Sequence, residues 1–157
     1  MTHQYLKVGR INHPMEMPRE VIDAAEKYGI DVIDVIMAQL YLRDPSESMR
    51  LRLELARRYL AEAKEHLNRG NAVQASEKAY KAVEEAVKAL AEKYDLPENQ
   101  QAVKEGRWYT YLLLKASSWL SRMLGDWVLD GWNAGYSMHV WGFHEAKILS
   151  HKWAGLR

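Results

Sequence analysis

The chain has 157 residues, 48% hydrophobic and 27% charged, which suits one globular domain with its own core and argues against wholesale disorder. A formal net charge of +1 gives no broad electrostatic footprint for nucleic acid or an anionic membrane surface. With no cysteine, disulfides, thiolate nucleophiles and cysteine-based zinc sites are all excluded, which fits a reducing cytoplasm.

Residues 1–15 lack periodicity and read as an arm carrying Lys7, Arg10 and His13. A helical pair is expected over 16–43. Pro18 suits the first turn of its first helix and Gly29 the end. Asp31 is placed to cap the second helix, whose apolar face is Ile33, Ile36, Met37 and Leu40. Asp44-Pro45 breaks that helix, with Ser46 or Ser48 as candidate caps of the next. Met49, Leu53, Ala56, Leu60, Ala63 and Leu67 then alternate at intervals of four and three, and Val73, Ser76, Tyr80, Val83, Val87, Leu90 and Tyr94 repeat the pattern. Each series is one stripe on one helix face, the seam of antiparallel bundle helices, so Leu60 and Val83 are expected among the most sensitive core positions. The short turn Asn68-Arg69-Gly70-Asn71 makes the two a hairpin. Glu54 and Arg58, Glu65 and Arg69, Glu77 and Lys81, and Glu84 and Lys88 each stand four apart, acid first, as on solvated helix faces. Leu96-Pro97-Glu98-Asn99 ends the pair.

All six tryptophans lie at 108, 119, 127, 132, 141 and 153, so the last third is expected to supply both core and a partner surface. Trp108, Leu112, Ala116, Trp119 and Met123 mark a third bundle helix ending at Leu124-Gly125. Asp126 is placed to cap a fourth, through Val128, Trp132, Gly135 and His139. Gly131 and Gly135 permit a tight backbone crossing, Gly142 ends or kinks the helix, and Ala146–Trp153 adds a last turn or two.

The one dense polar-aromatic stretch is Met138–Glu145. Imidazole there can serve as a general base, with Glu145 to orient it, giving Asn133, His139, His144 and Glu145 as the site residues of an enzyme reading. The bland reading is that these rings close the bundle. His139 and His144 are five apart, a poor match for two metal ligands on one α-helical face, so no metal and no cofactor are expected. The helices around Gly29 do not make a DNA reader, since Asp31 and Asp34 would repel phosphate. There is no phosphate-binding glycine loop, serine elbow or paired-carboxylate signature. No apolar run approaches the roughly 20 residues of a membrane span, and Met1-Thr2-His3-Gln4 lacks the apolar core of a secretion signal. A cytoplasmic protein without membrane contact is expected.

Arg52–Ala56, Tyr59–Ala63 and Gln74–Ala82, with Gly106-Arg107-Trp108, the Met138–Glu145 segment and the opening helix ending Tyr28-Gly29-Ile30-Asp31, resemble the archaeal PaREP family, first-type branch, over about residues 14–150. That family in turn is similar to HEPN helical domains, four-helix units that often dimerise, some of them metal-independent RNases and others partners of minimal nucleotidyltransferases. The RNase members carry an arginine followed, after four to six intervening residues, by a histidine. Here the corresponding positions before His139 hold Trp132, Asn133 and Ala134, and Arg58 stands one residue too far from His66. The resemblance therefore implies the scaffold without the cation that would stabilise the phosphate.

The expected architecture is all-α without a sheet: a HEPN-like four-helix up-and-down bundle over 46–142, preceded by the 1–15 arm and the 16–43 helical pair and followed by a 143–157 extension. The expected role is a helical interaction module, a homodimer, with a nucleotidyltransferase-type protein as a further partner. A divergent RNA-processing or nucleotide-binding enzyme built on the His139–Glu145 segment is the alternative.

Overall fold

The computed structural model describes residues 5–6 and 15–144, with side chains for 16–143. The expected extension beyond His144 and most of the N-terminal arm lie outside the described residues. Helices dominate. The departure from an all-helical chain is a two-residue antiparallel pairing of β1 (Tyr5–Leu6) with β2 (Met15–Glu16), Tyr5 opposite Glu16 and Leu6 opposite Met15. A pairing this short carries no alternating pattern from which a sequence could announce it.

The N-terminal pair forms as α1 (Arg19–Lys27) and α2 (Val32–Arg43). Gly29 turns the chain between them at φ 68°, and the Asp31 carboxylate accepts the Asp34 N–H at 2.9 Å to cap α2. The cap of α3 (Pro45–Asn68) is Asp44, which accepts the Glu47 N–H at 3.1 Å, and neither Ser46 nor Ser48. Proline at the first helical position sets the boundary one residue before itself. Ser48 is instead fully buried, its hydroxyl donating to the Met37 carbonyl. Asn71 caps α4 (Ala72–Lys93) by accepting from the Gln74 N–H at 3.2 Å.

Between the long hairpin and the tryptophan-rich helices lies α5 (Pro97–Glu105), which a plain four-helix description lacks; nine residues are too few to display a helical period. Gly106, at φ 76°, ends it. Then come α6 (Thr110–Leu124), α7 (Trp127–Ser137) and a π-helical turn, Met138–His144. Asp126 does not cap α7 with its side chain; the Gly125 carbonyl already accepts the Val128 N–H, so Asp126 sits inside the first turn. Gly142 does not end the helix, because the chain continues through it with the wider i→i+5 winding.

The hydrophobic core is built from one flank of α4 (Tyr80, Val87, Ala91), from α6 (Leu112, Leu113, Ala116, Leu120) and from α7 (Val128, Trp132), with Trp108 closing it. The second seam of the sequence therefore packs as expected from Tyr80 to Leu90, while its last member, Tyr94, is 37% exposed. A Cβ at Gly135 would stand 2.9 Å from Val83 Cγ2, so the close crossing occurs there, whereas Gly131 faces open space. Trp108 and Trp132 are buried, Trp119, Trp127 and Trp141 are exposed, and Trp153 lies outside the described residues.

The first seam packs only through its smaller members: Ala63 is buried and Met49 and Ala56 partly so, while its leucines are not. Leu53, Leu60 and Leu67 are 37%, 48% and 61% exposed, and α3 meets α4 through Ser48, Arg52, Tyr59 and Ala63. The charge pairs also rearrange. Glu65–Arg69 forms at 2.6 Å on the surface, but Glu54 takes Arg57, Glu77 takes His139, and Lys88 is buried.

Candidate functional site

The charged flank of α4 carries Glu85, Lys88 and Glu92, at i, i+3 and i+7, toward α2 and α3. Arg52 of α3 reaches into this flank at 2% exposure. Its Nε donates to Glu92 Oε1 at 2.7 Å, and one terminal nitrogen donates to Glu85 Oε2 at 2.9 Å and Asp34 Oδ1 at 3.2 Å. Lys88 donates to Asp34 at 3.1 Å and Glu85 at 3.3 Å, and stands 3.7 Å from Glu84. Asp34 also accepts the backbone N–H of Trp108 at 3.0 Å. Four chain segments thus meet on two cations and three fully buried carboxylates.

The titration behaviour follows from that geometry. Burial pulls Arg52 and Lys88 down, but the facing carboxylates outweigh it and hold both firmly protonated. Burial pushes Asp34 up, and Lys88, Arg52 and the Trp108 N–H more than reverse this, leaving its carboxyl below the ordinary range. Glu92 ends above its ordinary value, because burial exceeds what Arg52 returns. Its Oε2 has no hydrogen-bond partner among the described residues. Glu84 is the extreme case: burial, with Glu85, Asp34 and Glu77 nearby, lifts it to about 7 against the single pull of Lys88.

Above this cluster a cavity of about 270 Å³ opens between α1 and the start of α2 on one side and the α3–α4 hairpin on the other. Its polar lining includes Tyr59, Lys81, Glu84, Glu85 and Lys88 with Glu26 and Asp31, and its aliphatic lining includes Ile22, Ile30 and Ile33. None of these residues was singled out as a site from the sequence. In sequence the Glu84–Lys88 spacing reads as a solvated pair, since partners 33 to 54 residues apart leave no local sign.

Of the residues proposed from the sequence, Asn133 and His139 lie elsewhere. His139 is partly buried, its Nδ1 2.9 Å from Glu77 Oε2, with its ring stacked on Tyr80 at 4.3 Å between centroids. A carboxylate facing it among the described residues comes from α4. The Phe143 ring lies nearly parallel to that of His139, 6.2 Å between centroids. Asn133 is exposed on α7, six residues before His139 and about 120° around an α-helix from it. His144 falls in the π-helical turn; its side chain and Glu145 lie outside the described residues. A carboxylate–imidazole pair of this kind can fix a ring and pass a proton. Among the described residues no group of three or more histidine, aspartate or glutamate side chains is arranged to hold a metal ion. No helix among them is long and apolar enough to cross a membrane.

A predominantly helical domain clasped around internal ion pairs is the class that fold and site define. The chain belongs to the archaeal PaREP1/PaREP8 family, whose model matches residues 51–153. No curated protein and no solved structure matches it. The matched span holds Arg52, Glu85, Lys88 and Glu92, while Asp34 and the aliphatic lining of the cavity come from before it.

Proposed function

We propose that this chain is a non-catalytic helical interaction module that pairs with a second copy of itself about a two-fold axis, as a HEPN-like four-helix up-and-down unit. The observation that carries this reading is the leucine row on α3. Leu53, Leu60 and Leu67 recur every seven residues and all face solvent, over roughly 21 Å of helix. A monomer gains nothing from a heptad row left in water, whereas an antiparallel copy centred on Leu60 would bury all three on both chains. The row's border suits self-pairing, since Arg50 and Arg57 are already neutralised by Glu47 and Glu54 of the same helix at 2.7 and 3.2 Å. A nucleotidyltransferase-type protein would be a further partner of the paired module.

Light scattering on a sizing column tests this. The chain should elute at twice its own mass, and Leu60→Glu should halve that mass with the helical circular dichroism unchanged. A monomer from micromolar to near-millimolar concentration overturns the reading.

The Glu77–His139 pair favours one competing reading, a divergent RNA-processing or nucleotide-binding enzyme that also uses Asn133, His144 and Glu145. Cleavage of labelled RNA by the parent but not by a folded His139→Ala variant would establish it. We expect neither protein to cleave.

A further inference from the structure

The α4 residues Lys81, Glu84, Glu85 and Lys88 share one face and line the cavity over the ion cluster, opposite the aliphatic side chains of the N-terminal pair. We infer that this cavity binds a small organic cation, a protonated aliphatic amine whose ammonium sits at Glu84 and whose carbon chain lies along Ile22, Ile30 and Ile33.

Charge decides the sign of the ligand. Lys88 has three N–H bonds and already donates to both Asp34 oxygens, at 3.1 and 3.4 Å, and to Glu85 at 3.3 Å, so nothing remains for an incoming anion. Lys81 stands over the Tyr59 ring, 5.9 Å from its centroid. Glu26 and Asp31 also line the cavity, so an anion would enter against four carboxylates. Among the carboxylates on Lys88, Glu84 has the longest ion pair and keeps 22% of its side chain exposed, where an arriving ammonium can reach it. Such a ligand would supply the short charge-assisted hydrogen bond that Lys88 does not. The aliphatic lining decides the rest. A bare inorganic cation would leave Ile22, Ile30 and Ile33 wet, while each methylene of an alkyl chain gains by covering them. A metal ion also lacks its ligands among the described residues. This inference does not rest on self-association, because binding is read per chain whatever the mass.

The test is calorimetric titration of the full chain at pH 8 with n-pentylamine, 1-pentanol and pentanoate, three probes of equal length that differ in head group. The amine should bind saturably, one per chain, at least about tenfold more tightly than the alcohol or the acid, as a charge-assisted bond requires. Glu84→Gln should bring the amine down to the level of the alcohol. Ile22→Trp, which fills the cavity from its partly exposed lining, should block the amine with Glu84 intact, and it decides the matter should Glu84→Gln not fold. Absence of saturable amine binding overturns the inference. So does equal binding of amine and alcohol, or full amine affinity in either folded variant.

Discussion

Arg52 and Leu53 are neighbours on α3, yet the arginine is 2% exposed and the leucine 37%. Along this helix the expected polarity is inverted: charge is inside and the most regular apolar row outside. On α4, its partner in the hairpin, one flank carries Tyr80, Val87 and Ala91 into the hydrophobic core in the ordinary way, while the other carries Glu85, Lys88 and Glu92 to meet Arg52. The contrast separates two uses of an amphipathic helix. The apolar flank of α4 drives folding by removing surface from water. The charged flank gains little net free energy, since desolvation offsets most of the attraction, but it admits one arrangement of α2, α3 and α4 and penalises others. The leucine row of α3 is left available outside the fold.

That contrast can be broken by substitution. Arg52→Ala should have the largest effect, about 3–5 kcal/mol in chemical denaturation, because it strands Glu85, Glu92 and Asp34 without their shared cation. A loss below about 1 kcal/mol would mean that water or Lys88 replaces it. Gly135→Ala comes next, about 1–3 kcal/mol, since its Cβ would press on Val83, a core contact on the apolar flank of α4.

Glu84 sharpens the contrast through pH. Its carboxyl is lifted from the ordinary 4.5 to about 7 by burial and by Glu85, Asp34 and Glu77, with Lys88 opposing. Between those values the folded chain binds more protons than the unfolded one, so this group's contribution to stability falls as pH rises from about 5 to about 8. Glu84→Gln should therefore gain on the parent across that range by a few degrees in Tm, at roughly 2–4 °C per kcal/mol. A difference that stays flat from pH 5 to pH 8 would show that Glu84 titrates normally.

Leu60→Ala should have the smallest effect at low micromolar concentration, within about 0.5 kcal/mol, as for a surface side chain. A buried leucine would cost about 2–5 kcal/mol. The sequence alone places Leu60 in the core, so this one variant tests which flank of α3 packs. If copies associate through the row, the cost should appear on raising the concentration.

The turns were legible because each rests on local chemistry. Gly29 and Gly70 need positive φ, Asp31 caps its own helix, and the spacing of Tyr80, Val83 and Val87 marks a face with one use. Periodicity on α3 located a stripe just as well, but a stripe says nothing of what lies opposite it. The ion cluster was hidden for a related reason. Glu84 four residues before Lys88 looks the same on a surface as in an interior, and only the fold brings Asp34 and Arg52 to it. The Glu77–His139 pair spans 62 residues and was equally invisible, although the polar-aromatic density of residues 138–145 did mark His139 as a residue to follow.

The bond from the Trp108 N–H to Asp34 ties the cluster to the chain just before α6, 74 residues away. Asp34, Arg52, Glu85, Lys88 and Glu92 compensate one another only when α2, α3, α4 and that loop are all docked. Partial docking leaves a bare charge in a dry interior, so the segments are expected to come apart together. Local opening of the N-terminal pair is correspondingly disfavoured, and α2 belongs to the same cooperative unit as the family-matched region. A fragment beginning at Leu51 would keep both buried cations but lose Asp34, one of the two carboxylates they share, and amide exchange in α4 should rise along its whole charged flank.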